Sequence, residues 1–202
     1  MSHARRAALA VAATLAAASA LAVPAASAQV VPFNDYEVGG TLTLKKLGQQ
    51  VTLPEGSTFN GSADLTTGRL TGDVFIPEFT STIRVLGIPT QVTTRLEQAQ
   101  PVQGTLALNS DGTISIRSTT SATLRIRRLR LGLLSVPTTC RTADPIVLTL
   151  NYDGPFAFPI AFDGTTTIPR LTGCGPLGPT LGLLLSGPGN AYHVTLTPPT
   201  GG

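Results

Sequence analysis

Polar and apolar residues alternate along many short stretches of this chain with a period of two. Thr41-Leu42-Thr43-Leu44 and Thr113–Arg117 follow the pattern strictly, and Thr105–Leu108 and Ile146–Leu150 come close. A period of two sends successive side chains to opposite faces of an extended strand. Thr and Val occupy many of these positions, and β-branched side chains suit a pleated surface better than a helix. Gly39-Gly40, Asn60-Gly61, Asp111-Gly112, Asp153-Gly154 and Asp163-Gly164 read as turns between the runs. The clearest is Asn109-Ser110-Asp111-Gly112, which predicts a hairpin tip between Thr105–Leu108 and Thr113–Arg117. About ten short strands at this spacing predict an all-β domain, an antiparallel β-sandwich or small barrel.

A helix is expected at one place at most. Pro176–Ser186 carries Leu177, Leu181, Leu183, Leu184 and Leu185 before Gly187-Pro188-Gly189-Asn190. It reads either as two helical turns stopped by Gly187 or as a buried apolar loop, and in a sharper version as a flap over an apolar cavity. A last strand follows, with Tyr192, Val194 and Leu196 on one face and His193, Thr195 and Thr197 on the other.

Residues 1–28 have the order of a secretory signal peptide. Arg5 and Arg6 precede an apolar stretch from Ala7 to Val23, Pro24 breaks it, and Ala26-Ser27-Ala28 supplies small residues for cleavage before Gln29. The Arg pair leaves general and twin-arginine export both open. The expected exported domain is a single one, residues 29–202, with no membrane span after cleavage and no wall-sorting tail. Cleavage removes two of the 14 basic residues against 11 acidic ones, leaving a net charge near +1. That weak balance argues against a nucleic-acid partner. A charged fraction of 12% excludes a charged disordered tail and a coiled coil.

Cys140 and Cys174 are the chain's two cysteines. In an oxidising compartment they are expected to form one disulfide, which closes a loop of roughly 34 residues and contributes about 3–4 kcal/mol in the chain-entropy account. A free catalytic or metal-binding thiol lacks support, because no C-x-x-C is present and His193 is the one histidine left after cleavage. No metal site and no cofactor are expected. His193 lies at an outward position, with no Gly-x-Ser-x-Gly elbow to serve. The acids that a carboxylate dyad would need are Asp35 with Glu37 and Asp64 with Asp73, while Asp111, Asp153 and Asp163 precede Gly and read as turn formers.

The most distinctive charge feature is Arg125-Ile126-Arg127-Arg128-Leu129-Arg130-Leu131. Simple alternation cannot send Arg125, Arg127, Arg128 and Arg130 all outward. A β-bulge at Arg127-Arg128 would do so and keep Ile126, Leu129 and Leu131 inside. The resulting basic stripe reads as a solvated strand face or as a contact for an anionic envelope polymer or lipid headgroup. Aromatic residues are not interleaved with it, as base stacking would require.

At Cys140-Arg141-Thr142, Ile168-Pro169-Arg170-Leu171-Thr172-Gly173-Cys174-Gly175 and Ser186-Gly187-Pro188-Gly189-Asn190 the chain resembles a group of small secreted actinobacterial β-rich proteins of uncharacterised function. The resemblance implies a mostly β domain with the two cysteines paired. It implies no activity and no catalytic residue.

The leading expectation is therefore a secreted, non-enzymatic module, extracellular or associated with the cell wall, that binds through Arg125, Arg127, Arg128 and Arg130. A carrier of an apolar, lipid-like ligand covered by the Leu177–Leu185 segment is the alternative. A glycan-acting hydrolase with a carboxylate dyad ranks third.

Overall fold

The computed structural model describes residues 29–85 and 87–199. The signal peptide read from residues 1–28 lies outside the described residues. The described chain is all-β and antiparallel, with one short helix and one disulfide. The strands are β1 (Val30–Leu44), β2 (Gln49–Thr52), β3 (Thr58–Asp64), β4 (Arg69–Phe75), β5 (Phe79–Val85), β6 (Ile88–Leu108), β7 (Thr113–Leu131), β8 (Leu134–Thr142), β9 (Ile146–Pro155), β10 (Ile160–Ile168), β11 (Leu171–Thr172) and β12 (Gly187–Thr197). A 3₁₀ turn at Gly175–Leu177 leads into helix α1 (Gly178–Leu185).

All twelve strands belong to one sheet, with the path β10-β12-β1-β3-β4-β6-β7-β8-β11. The sheet is curled on itself as a half-barrel. Its spine is the hairpin of β6 and β7, strands of 21 and 19 residues, far longer than the short runs read from the pattern. Each changes partner along its length. The first half of β6 pairs with β5 and the second with β4, while the first half of β7 pairs with β9 and the second with β8. Register shifts between Thr93 and Thr94, Gln98 and Gln100, and Gln100 and Gln103 bend the hairpin. One continuous ladder thereby encloses two hydrophobic clusters. Phe33, Phe59, Val102, Ile114 and Ile160 build one; Ile83, Val92, Ile126, Leu129 and Ile168 build the other.

The Arg127-Arg128 bulge is where the two outward arginines require it. Ile126 faces Cys140 and Arg128 faces Pro137 across β8, with a register shift between them. Ile126 and Leu129 are buried, Arg127 and Arg128 are exposed, and Leu131 is half-buried against the second cluster.

The Gly-containing dipeptides divide. Asp111-Gly112 turns the β6–β7 hairpin, and Asp111 Oδ1 accepts from the Thr113 N–H at 3.0 Å and its hydroxyl at 2.7 Å. Gly39-Gly40, Asn60-Gly61, Asp153-Gly154 and Asp163-Gly164 are not turns; they lie within β1, β3, β9 and β10. Aromatic rings explain three of them. A Cβ on Gly61, Gly154 or Gly164 would stand within 2.7 Å of Phe59, Tyr152 or Tyr192 respectively, so the ring covers the strand where a side chain would be. Gly40 is different. It has φ +135°, and a Cβ there would lie 2.1 Å from the His193 carbonyl, at the point where β1 passes from β3 to β2.

The Leu-rich segment is helical at Gly178–Leu185. Leu181 and Leu185, one turn apart, are buried in the second cluster, and Leu183 is exposed. Cys174 immediately precedes the 3₁₀ turn and is bonded to Cys140 of β8. The disulfide thus ties the helix over one end of the curl.

Truncating Ile126 to Ala should lower unfolding stability by about 2–5 kcal/mol, whereas Arg127→Ser should change it by less than about 1 kcal/mol. Urea denaturation of the two variants checks the bulge, since the opposite ranking requires the opposite register.

Candidate functional site

The four arginines of the stripe do not form one equivalent surface. Arg125 Nε lies 2.5 Å from Glu97 Oε2, and Arg95 Nε reaches the other oxygen of Glu97 at 3.5 Å. Arg127 Nε lies 3.9 Å from Glu78. Among the described residues no carboxylate comes within ion-pair distance of Arg128 or Arg130. These two line a polar hollow of about 310 Å³ with Thr80, Gln91, Thr93 and Ser135. The Thr80 and Thr93 hydroxyls share a hydrogen bond of 2.9 Å on its floor. The stripe is thus half neutralised and half free.

The acids read as a dyad are spread over local structural roles. Asp35 and Asn60 exchange hydrogen bonds at the β1 bulge. Asp64 accepts from the backbone of Thr66 and Thr67 in the β3–β4 turn, and Asp73 lies opposite Asn60. Asp153 bonds Arg117 at 2.6 Å, and Asp163 bonds His193 at 2.7 Å. The Thr67 hydroxyl chiefly holds the Asp64 carboxyl below the usual range, the Thr113 hydroxyl does so for Asp111, and the Arg117 guanidinium for Asp153. A general acid needs the reverse displacement. No cluster of three or more metal-ligating side chains is present among the described residues, and no helix among them is long and apolar enough to cross a membrane.

The interior carries the larger feature. Three cavities of about 70, 140 and 90 Å³ run in series along the inside of the curl. The first and second share Val38, Val74, Leu150 and Val194; the second and third share Leu42, Leu53, Leu96 and Ile146. Leu185 of the helix lines the third. The series arises because each hydrophobic cluster fills one end, whereas Thr120 and Ala122 are the small residues β7 brings to the middle. Protein interiors normally pack at crystal-like density.

The central cavity lies beneath a seam. β9 and β10 run side by side, yet β9 pairs with β7 and β10 with β12. Side chains bridge the gap instead: the Thr166 hydroxyl donates to the Val147 carbonyl at 2.7 Å, and the Tyr192 hydroxyl donates to the Thr149 carbonyl. Burial pushes the Tyr192 phenol above its ordinary pKa, which keeps it a donor. Ile146, Leu148, Leu150, Thr166 and Tyr192 line the cavity directly under this seam.

Two polar groups of the central cavity's lining are unspent, on Gln98 and Ser121. Gln98 shares the inward face of β6 with Leu96, opposite Ala122 of β7. Its Oε1 accepts from the Val74 N–H at 2.9 Å, and its buried Nε2 has no hydrogen-bond partner in the protein. The Thr120, Thr166 and Tyr192 hydroxyls all donate to protein carbonyls. The Ser121 hydroxyl is also buried without a partner, and Ser121 lines the same cavity between Thr120 and Ala122. Sequence reading missed Gln98, although Val92, Thr94, Leu96 and Gln98 fall at every second position and thus on one face.

Comparison with protein-family models, with curated proteins and with solved structures finds no match.

Ala122→Val should raise the stability of the protein by about 1 kcal/mol, because the added methyls enter open space. In a filled interior the same change would lower it by about 1–3 kcal/mol. The sign of the change in thermal midpoint distinguishes the two.

Proposed function

We propose that this protein is a secreted, non-enzymatic carrier of an apolar, lipid-like ligand held inside its curled sheet. The observation that carries the reading is the series of three apolar cavities sharing walls along the interior. Apolar cavities of this size take up apolar molecules. Ligand sites are characteristically concave, mostly apolar and served by few polar groups. The β9–β10 seam is the proposed entrance, since two side-chain hydrogen bonds close it where a backbone ladder would otherwise run. Export rests on the order of charged, apolar and small residues in positions 1–28, and the disulfide fits an oxidising compartment.

Protein purified from culture supernatant should carry an added mass in native mass spectrometry that disappears on organic extraction. Ala122→Phe, which fills the central cavity, should abolish the added mass. Residues 29–202 less two hydrogens, with nothing bound and no uptake from lipid vesicles, would overturn the reading.

A second reading has its own observation, the unpaired Arg128 and Arg130 around the polar hollow. It proposes that this face holds the protein on an anionic envelope polymer, through guanidinium forks on phosphate. Arg128→Ser with Arg130→Ser should weaken polyphosphate binding at least about tenfold and flatten its salt dependence. Arg125→Ser with Arg127→Ser, which removes arginines already engaged by Glu97 and Glu78, should weaken it by less than about threefold. Equal losses in calorimetric titrations would count against the site.

A further inference from the structure

The carrier reading leaves the nature of the ligand open, and Gln98 narrows it. We propose that the ligand is an apolar chain interrupted by an oxygen acceptor, a hydroxyl or carbonyl part-way along its length, which takes the free N–H of Gln98. This rests on the carrier reading and specifies its ligand class.

The orientation of the amide is fixed by chemistry. The Val74 backbone offers an N–H, so the group facing it must be the carbonyl oxygen of Gln98. The amide nitrogen is therefore on the other side. Its two N–H groups are buried and unpartnered, and Gln98 belongs to the wall of the central cavity. A pure hydrocarbon in that cavity would leave them without an acceptor, which buried donors rarely tolerate.

The position of Gln98 matters as much as its chemistry. The central cavity is flanked by the other two, which are walled almost wholly by apolar side chains such as Phe33 and Phe162 on one side and Ile83 and Val92 on the other. A ligand spanning the series therefore meets apolar walls, then the unpartnered donors of Gln98 and Ser121, then apolar walls again. A headgroup at the end of a chain does not match that order, whereas an internal oxygen does. The remaining polar groups facing the middle, on Thr120, Thr166 and Tyr192, already donate to backbone carbonyls. The Ser121 hydroxyl, buried and also without a partner, lines the same cavity, so Gln98 and Ser121 together mark the middle of the series as its donor-bearing part.

The test compares octadecanoic acid with octadecanoic acids bearing one mid-chain hydroxyl, each displacing a fluorescent apolar probe from delipidated protein. The hydroxylated acids should bind about tenfold more tightly to the unaltered protein, the effect of one well-placed hydrogen bond. Gln98→Met removes the amide donor while leaving the Ser121 hydroxyl, and should bring the two classes within about twofold. Gln98→Glu keeps an oxygen for the Val74 N–H while replacing the donor with an acceptor, and it should also lose the preference; it serves if the Met variant does not fold. Equal binding of both classes to the unaltered protein overturns the inference and leaves the carrier reading standing, with water then serving the amide. A preference retained in both variants also overturns it, because another group then reads the oxygen. Displacement by neither class removes the carrier reading and the inference together.

Discussion

The pairing of β6 with β7 is the constraint on which the rest of the structure depends. Two strands of 21 and 19 residues cannot remain flat and serve a closed interior, because strands twist and a long flat ribbon leaves its apolar face uncovered. The three register shifts in this hairpin release that conflict. They bend the ribbon, and they let β4, β5, β8 and β9 each pair with a different half of it. The bend also separates the two hydrophobic clusters, since each forms inside one limb. The underfilled middle is a consequence of the same geometry: where the ladder is interrupted, β6 contributes Gln98 and β7 contributes Thr120 and Ala122, none of which fills the space a Leu or Phe would.

Packing is uneven along the molecule. The clusters at the two ends and the disulfide-anchored helix supply the packing. The centre gives some of it up, both in volume and in an unsatisfied amide. Natural proteins keep such local departures from good packing chiefly at functional sites. The seam adds a further difference in strength. A ladder resists opening through many backbone bonds, but the Thr166 and Tyr192 bonds can break one at a time while the rest of the sheet stays paired. The curl thus has a rigid back, formed by the β6–β7 hairpin, and a lightly closed front.

The outer face shows how partner choice is limited by neighbours. Arg125 and Arg127 satisfy carboxylates contributed by β6 and by the β4–β5 connection, and exposed pairs of this kind add little to stability. What they change is availability. A guanidinium whose charge is already balanced by Glu97 or Glu78 attracts an incoming phosphate less than Arg128 or Arg130 does. The cavity and the basic hollow lie on opposite faces of the sheet, as strand alternation demands, and the two proposals are therefore separable by mutation.

The sequence by itself determined the β class, the hairpin tip at Asp111-Gly112 and the bulge at Arg127-Arg128; the Leu-rich segment it left open between a helix and a buried loop. These are local properties: alternation, turn chemistry and the exclusion of charge from a core act over a few residues. Pairing of Cys140 with Cys174 was legible because the chain has two cysteines. The tertiary structure alone decided which Gly-containing dipeptides turn, because Gly61, Gly154 and Gly164 are required by aromatic rings packed over them and their strand positions carry no local mark. It alone decided which arginines are ion-paired, since Glu97 comes from β6 and Glu78 from the β4–β5 connection. It alone produced the cavities, because empty space belongs to the packing of many distant residues. Gln98 stands between the two cases: its inward parity can be read along β6, but that its neighbours would leave its nitrogen unpartnered depends on how β4 and β7 close around it.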